Sequence, residues 1–209
     1  MVTFRETVVR GTTARDHSVQ LFDTLESRVS ALATFIASGL DAGDTVLVVA
    51  RDDTWTAAAK QLTARHLDVA HAVRQHRLIV RDAAETLSKF TRRGLPDPSA
   101  FDAVIGTLIR QLATRGPLRV YGEMVDLLAA ERDFDAAIEL ENLWNALAKT
   151  TTFSLFCGYS ASHFGPENNA AALKLICRCH STTRVDVSDD LASWLLDSSA
   201  SDDVASTPR

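Results

Sequence analysis

The chain has 209 residues, a formal net charge of −5 and a hydrophobic fraction of 46%, enough for one domain with a full two- or three-layer core. An acidic balance with a pI of about 5.6 speaks against general binding to a nucleic-acid backbone, which needs clustered Lys and Arg. No apolar run approaches the roughly 18–20 residues that span a bilayer. The polar stretch from Met1 to Arg15 is no signal peptide, and three cysteines are too few and too odd a number for a disulfide scaffold, so a reduced cytoplasmic protein is expected.

Residues 1–16 read as a polar lead-in. Val19-Gln20-Leu21-Phe22 is a short strand, and Asp23 with Glu26 three residues on suggests a capped helix start. Leu25, Val29, Leu32, Ile36 and Leu40 then recur at helical spacing, and Gly39 and Gly43 are expected to end that helix. Thr45 to Ala50 has no polar alternation, the mark of a strand buried on both faces of a parallel sheet. Asp52 and Asp53 are expected to cap a second helix to about His66, with Trp55, Ala59 and Leu62 inward. A short helix over 68–75 and a strand over 77–82 follow. Residues 84–98 read as irregular or a broken helix.

Phe101, Val104, Ile105, Leu108 and Leu112 mark one helix face, stopped by Gly116-Pro117. Leu118 to Glu123 is a strand ending in a carboxylate. Helices over 125–131 and 134–150 come next, then a last strand over 152–159 and a helix over 166–179. Glu139, Glu141 and Lys149 beside the apolar stripe of helix 134–150 read as an ordinary surface face. Strands alternating with helices predict an α/β fold, a three-layer, mostly parallel sheet with helices on both faces. Residues 17–185 form the domain, and 186–209 read as an Asp/Ser-rich tail, mostly disordered.

In such a sheet, ligands bind beyond the carboxyl ends of the strands. The sequence places there Phe22, Asp23 and Thr24, then Arg51, Asp52 and Asp53, then Asp82, then Gly122 and Glu123, then Gly158, Tyr159 and Ser160. Glu123 stands out, because a carboxylate that follows an apolar strand and a glycine points into the crevice mouth. What is missing is equally informative. No glycine lies between Gly11 and Gly39 to wrap a phosphate, and none of the lysines sits in a glycine-rich turn. A metal is not expected: on a helix Cys177 and Cys179 are about 200° apart, and zinc sites favour cysteine gaps of two to four residues. No G-x-S-x-G elbow or activated thiol supports a hydrolase.

Three segments carry a family resemblance: His17 to Asp23, Phe35 to Ala50 and Leu118 to Met124. Leu155-Phe156-Cys157-Gly158-Tyr159 and Ile176-Cys177-Arg178-Cys179-His180 complete it. In this order they resemble the MEDS domain, the sensory domain named after methanogens, methylotrophs and the regulator DcmR, over about residues 15–185. The Gly39 to Ala50 passage also resembles KaiC and other RecA-like ATPases, which implies a degenerate RecA-like sheet without its phosphate loop. His17, Glu123, Cys157, Tyr159 and His180 match the family's recurrent polar or aromatic positions. Arg51 precedes Asp52 where the family commonly places acids directly, and Ser160 replaces an aspartate.

The resemblance implies a non-enzymatic sensory or regulatory domain for small hydrocarbon derivatives. Its expected ligand residues are His17, Phe22, Tyr121, Glu123, Cys157, Tyr159 and His180, with no catalytic residue, metal or cofactor. A separate histidine kinase or transcription regulator is the expected partner, without direct nucleic-acid or membrane contact and with room for a homodimer. Two other readings stay open: a scaffold without ligand, and a nucleotide-binding enzyme that uses Glu123 as base.

Overall fold

A computed structural model describes residues 16–164 and 169–186. The lead-in before Asp16, the tail after Asp186 and the expected helix start at Pro166 lie outside the described residues. Six strands form one parallel sheet: β1 (His17–Phe22), β2 (Thr45–Ala50), β3 (Leu78–Asp82), β6 (Leu118–Gly122), β7 (Ser154–Ser160) and β8 (Thr182–Asp186). Their order is β3-β2-β6-β7-β1-β8. The helices α1 (Leu25–Asp41), α2 (Asp52–Ala64) and α3 (Val69–Arg74) belong to one face. The other face carries α4 (Ala83–Phe90), α5 (Pro98–Phe101), α6 (Thr107–Ala113), α7 (Met124–Ala130), α8 (Phe134–Thr150) and α9 (Ala170–Arg178). A π-helical segment, Asp102–Gly106, joins α5 to α6. The result is the three-layer α/β domain expected from the alternating elements.

The unbroken apolar strands follow from this layering, since each successive residue meets a core on one side or the other. Val46, Val48 and Tyr121 pack with Leu32, Ile36 and Leu62 of α1 and α2. Leu47, Val49, Val120 and Leu155 pack with Ile105, Leu140 and Trp144. Among the described residues, no helix is long and apolar enough to cross a membrane.

Several local expectations are corrected. Thr24, not Asp23, caps α1: its hydroxyl accepts the Ser27 N–H at 3.1 Å. Gly39 does not end α1 but lies buried inside it, where a Cβ would come within 2.8 Å of Val46. Gly43, at φ +87°, makes the turn. Arg51, without a side-chain cap, occupies the position expected for an aspartate cap, while Asp52 and Asp53 sit in the first turn of α2, where carboxylates favour the helix dipole. Thr54, Ala58 and Leu62 form its buried face, while Trp55 packs half-buried against the same core and Ala59 is half-buried.

Residues 84–98 are ordered. Helix α4 runs into a hairpin of β4 (Thr91–Arg92) and β5 (Leu95–Pro96). Its two-residue turn, Arg93-Gly94, has positive φ at both positions, the geometry that suits a tight hairpin. Strand β8 was not expected: its polar sequence carries no alternation, and it is placed by parallel pairing with β1.

Candidate functional site

The carboxyl ends of the strands hold a buried ion-pair assembly. Asp126, on the first turn of α7, is its centre. The Arg28 guanidinium of α1 donates to Asp126 Oδ2 at 2.8 Å, and Arg51, at the end of β2, donates to the same oxygen. Asp126 Oδ1 accepts the Ser160 N–H at 2.8 Å and has His163 Nε2 at 3.1 Å. Arg28 also donates to the Ser160 hydroxyl at 2.6 Å. Asp126 thus ties α1, the β2–α2 junction, the end of β7 and the turn after it.

Glu123 adjoins this centre and is itself saturated. Its Oε1 accepts the Tyr121 hydroxyl at 2.7 Å and has Arg28 at 3.5 Å, while its Oε2 accepts the Arg51 N–H at 2.8 Å. Gly158 makes room for the Tyr121 hydroxyl, since a Cβ there would lie 2.7 Å from it. Phe35 and Phe156 pack on Tyr121 and on each other, and Phe22 packs on Phe156, with ring centroids 5.4–6.4 Å apart, while Arg28 lies 5.7 Å above the Phe22 ring.

Burial acts on both carboxylates, with opposite outcomes. Burial would raise the Asp126 carboxyl, but His163, Arg28, Arg51 and the Ser160 N–H outweigh it and hold Asp126 well below the usual range. For Glu123 burial wins: Arg28, the Arg51 N–H and Tyr121 offset only part of it, so its carboxyl is raised. Burial and the Glu123 charge push the Tyr121 hydroxyl well up.

A second polar assembly lies on the other side of the sheet, under α8 and α9. Glu141 of α8 is fully buried, with His17 Nε2 3.2 Å from Oε2, His180 Nε2 3.4 Å from Oε1 and the Tyr159 hydroxyl donating to Oε1 at 2.8 Å. Cys157 Sγ is 3.5 Å from both His17 Nε2 and Glu141 Oε2. His17 Nδ1 pairs with Asn145 Oδ1 at 2.9 Å, and His180 Nδ1 with the Ile176 carbonyl at 2.7 Å. Burial pushes the Cys157 thiol well up, with Glu141 adding to it, and takes the Tyr159 hydroxyl the same way.

The structure thus divides the expected ligand residues. Phe22, Tyr121 and Glu123 lie together at the strand ends. His17, Cys157, Tyr159 and His180 gather around Glu141, with His17 at the start of β1 and His180 just before β8, away from the strand C-termini. Arg28, Asp126 and Glu141 were missed. Their signal was a charged residue at the helical spacing of buried apolar ones: Arg28 before Leu32, Asp126 between Val125 and Leu128, Glu141 between Leu140 and Trp144. An open depression of about 740 Å³, lined in part by Asp44, Arg110, Pro117 and Arg119, lies at the opposite end of the sheet from Glu123.

The family model of the methanogen/methylotroph, DcmR sensory domain, abbreviated MEDS, matches residues 16–181. That span contains both polar assemblies and every strand of the main sheet except β8. No curated protein matches the sequence. Covering most of the chain, the family match joins the arrangement of its strands and polar groups to one conclusion: the chain belongs to the MEDS sensory-domain family.

Proposed function

We propose that the chain is a non-enzymatic regulatory domain that receives a small, hydrocarbon-derived ligand at the strand C-termini. It would pass the signal to a separate histidine kinase or transcription regulator. The observation that carries this reading is the convergence on Asp126 of groups from α1, the β2–α2 junction, the end of β7 and the turn after it. A ligand that favours one arrangement of this junction shifts several elements together, which is what a sensor needs. The adjoining Phe22, Phe35 and Phe156, all buried, give the junction an apolar lining, and the Tyr121–Glu123 pair would be its polar handle. Family membership supports a sensory role.

A thermal-shift panel of small organic molecules and nucleotides tests the proposal. Apolar organic compounds are expected to raise the melting temperature, less so in Tyr121→Phe. Silence from all of them beside a clear shift with ATP-Mg sinks it. One observation favours a second reading, a scaffold without ligand: the carboxylate oxygens of Glu123 and Asp126 already have partners within the protein. A panel in which neither organics nor nucleotides shift the protein supports that reading.

A further inference from the structure

The assembly around Glu141 has the chemistry of a metal centre. His17 Nε2, Glu141 Oε, Cys157 Sγ and His180 Nε2 all lie within 4.8 Å of one another. They come from β1, α8, β7 and the segment before β8. A tetrahedral ion with bonds of about 2.0–2.3 Å holds its ligand atoms about 3.3–3.7 Å apart. The closest approaches here are 3.2 Å for His17 to Glu141, 3.4 Å for His180 to Glu141 and 3.5 Å from Cys157 to His17 and to Glu141. With Glu141 Oε2 as the ligand oxygen, His17, Glu141 and Cys157 already stand at three corners of a coordination tetrahedron, and His180 Nε2, which lies against the other oxygen, Oε1, completes the group within 4.8 Å.

Three further observations point the same way. First, both imidazoles are oriented as metal-bound histidines are: Nδ1–H is spent on an oxygen, Asn145 Oδ1 for His17 and the Ile176 carbonyl for His180, which leaves each Nε2 facing inward. Second, His180 Nε2 is fully buried and, although 3.4 Å from Glu141, has no hydrogen-bond partner, so its lone pair is aimed into the cluster unused. Third, the Tyr159 hydroxyl holds Glu141 Oε1 from outside, the role of an outer-shell donor.

We propose that His17, Glu141, Cys157 and His180 bind one divalent ion of the zinc class, independently of what the strand ends bind. Two nitrogens, a thiolate and one carboxylate oxygen suit a borderline-soft ion and not Mg2+ or Ca2+, which take oxygen shells. The charges close: a dication, a thiolate, a carboxylate and two neutral imidazoles sum to zero, as a dry interior requires. Binding releases the Cys157 thiol proton to solvent, and the Cys157 sulfur forms the new bond. The ion would fasten the edge strand β8 to the core through His180. Cys177 and Cys179, whose spacing argues against a local zinc site, take no part. The site draws only His180 from that stretch and the rest from distant elements.

The test uses the full chain, refolded with excess Zn2+ or Co2+ and desalted, with the ion measured by elemental analysis. About one tightly held equivalent per chain is expected. The Co2+ form should show a thiolate-to-metal charge-transfer band. That band should vanish in Cys157→Ser, survive in the double variant Cys177→Ser with Cys179→Ser, and survive in Tyr121→Phe, a change in the other assembly. Asn145→Ala, which frees the His17 ring, should weaken binding about 10–100-fold. If Cys157→Ser does not fold, the cysteine double variant carries the test, since loss of the band there moves the thiolate to Cys177 or Cys179. Retention of less than about 0.1 equivalent by the wild type overturns the proposal, as does a stoichiometry or cobalt band unchanged in a folded Cys157→Ser.

Discussion

The two buried assemblies solve the same problem in opposite ways. Around Asp126 and Glu123, two carboxylates face two guanidiniums, and Arg28 and Arg51 are always charged, so the protein supplies its own counter-ions. Around Glu141, one carboxylate faces two imidazoles and a thiol, groups that bind a cation through lone pairs. Each cluster keeps one buried imidazole nitrogen without a hydrogen-bond partner, His163 Nε2 in the first and His180 Nε2 in the second, but only the first has arginines to balance its carboxylates. Buried charge alone therefore does not mark a binding site. What marks one is an acceptor-rich set whose donors are already spent elsewhere.

The sharpest break in this contrast is Asp126→Asn. It leaves Arg28 and Arg51 without their shared carboxylate, and removing one partner of a buried pair costs about 3–5 kcal/mol. Denaturant unfolding measures it, and a loss under about 1 kcal/mol means that water or a shifted Glu123 replaces the charge. Glu141→Gln in metal-free protein should cost less, about 1–3 kcal/mol, because the amide oxygen still accepts from Tyr159 and no guanidinium is stranded. Equal losses in the two variants erase the distinction between the assemblies.

Gly158→Ala is expected to cost about 1–3 kcal/mol by overpacking, since the new methyl meets the Tyr121 hydroxyl. Combining it with Tyr121→Phe should recover part of that loss, and a purely additive double variant rules out the clash. Thr24→Ala, in neither assembly, should cost only about 1 kcal/mol through its lost cap.

Acid sharpens the first assembly. Asp126 is depressed in the folded state by His163, Arg28, Arg51 and the Ser160 N–H against its burial, with Glu123, Tyr121 and Tyr159 the other titrating neighbours. Its contribution is full above the unfolded carboxylate value of about 3.9 and fades as pH falls toward the folded one. The stability gap between wild type and Asp126→Asn should hold at neutral pH and narrow below about pH 4. Glu123 has the opposite sign: its raised carboxyl favours the fold at low pH and loses that advantage as pH rises through its folded value. Glu123→Gln should therefore gain on the wild type toward neutral pH. A gap for Asp126→Asn that widens in acid contradicts the assignment.

Much of this was legible in the chain. The strand Thr45–Ala50 declared a two-sided sheet because each of its residues is apolar or small enough for either core. Helix α8 kept its expected bounds because its buried face, with Ala136, Ala137, Leu140, Trp144 and Leu147, recurs at helical spacing along its length. Glu123 was legible as an acid at a strand end, but the expected place in the crevice mouth was not: it is fully buried, with both oxygens taken by the Tyr121 hydroxyl and the Arg51 N–H. Glu141 was half legible: it shares the helical spacing of Ile138, Trp144 and Leu147, but next to Glu139 it reads as surface, and the packing of α8 over Cys157 and Tyr159 shows that it is enclosed. Gly39 misled for a similar reason, since helix termination and close packing against a strand call for the same residue.

The sequence by itself determined the layers and five of the six strands of the main sheet, because period and polarity are local properties that each segment carries alone. Tertiary structure decided the partners. His17 and Cys157 meet because β1 and β7, 140 residues apart at that contact, lie side by side. His180 joins them because β8 pairs with β1. Which polar groups share a dry space depends on strand order, a long-range choice that no local spacing encodes.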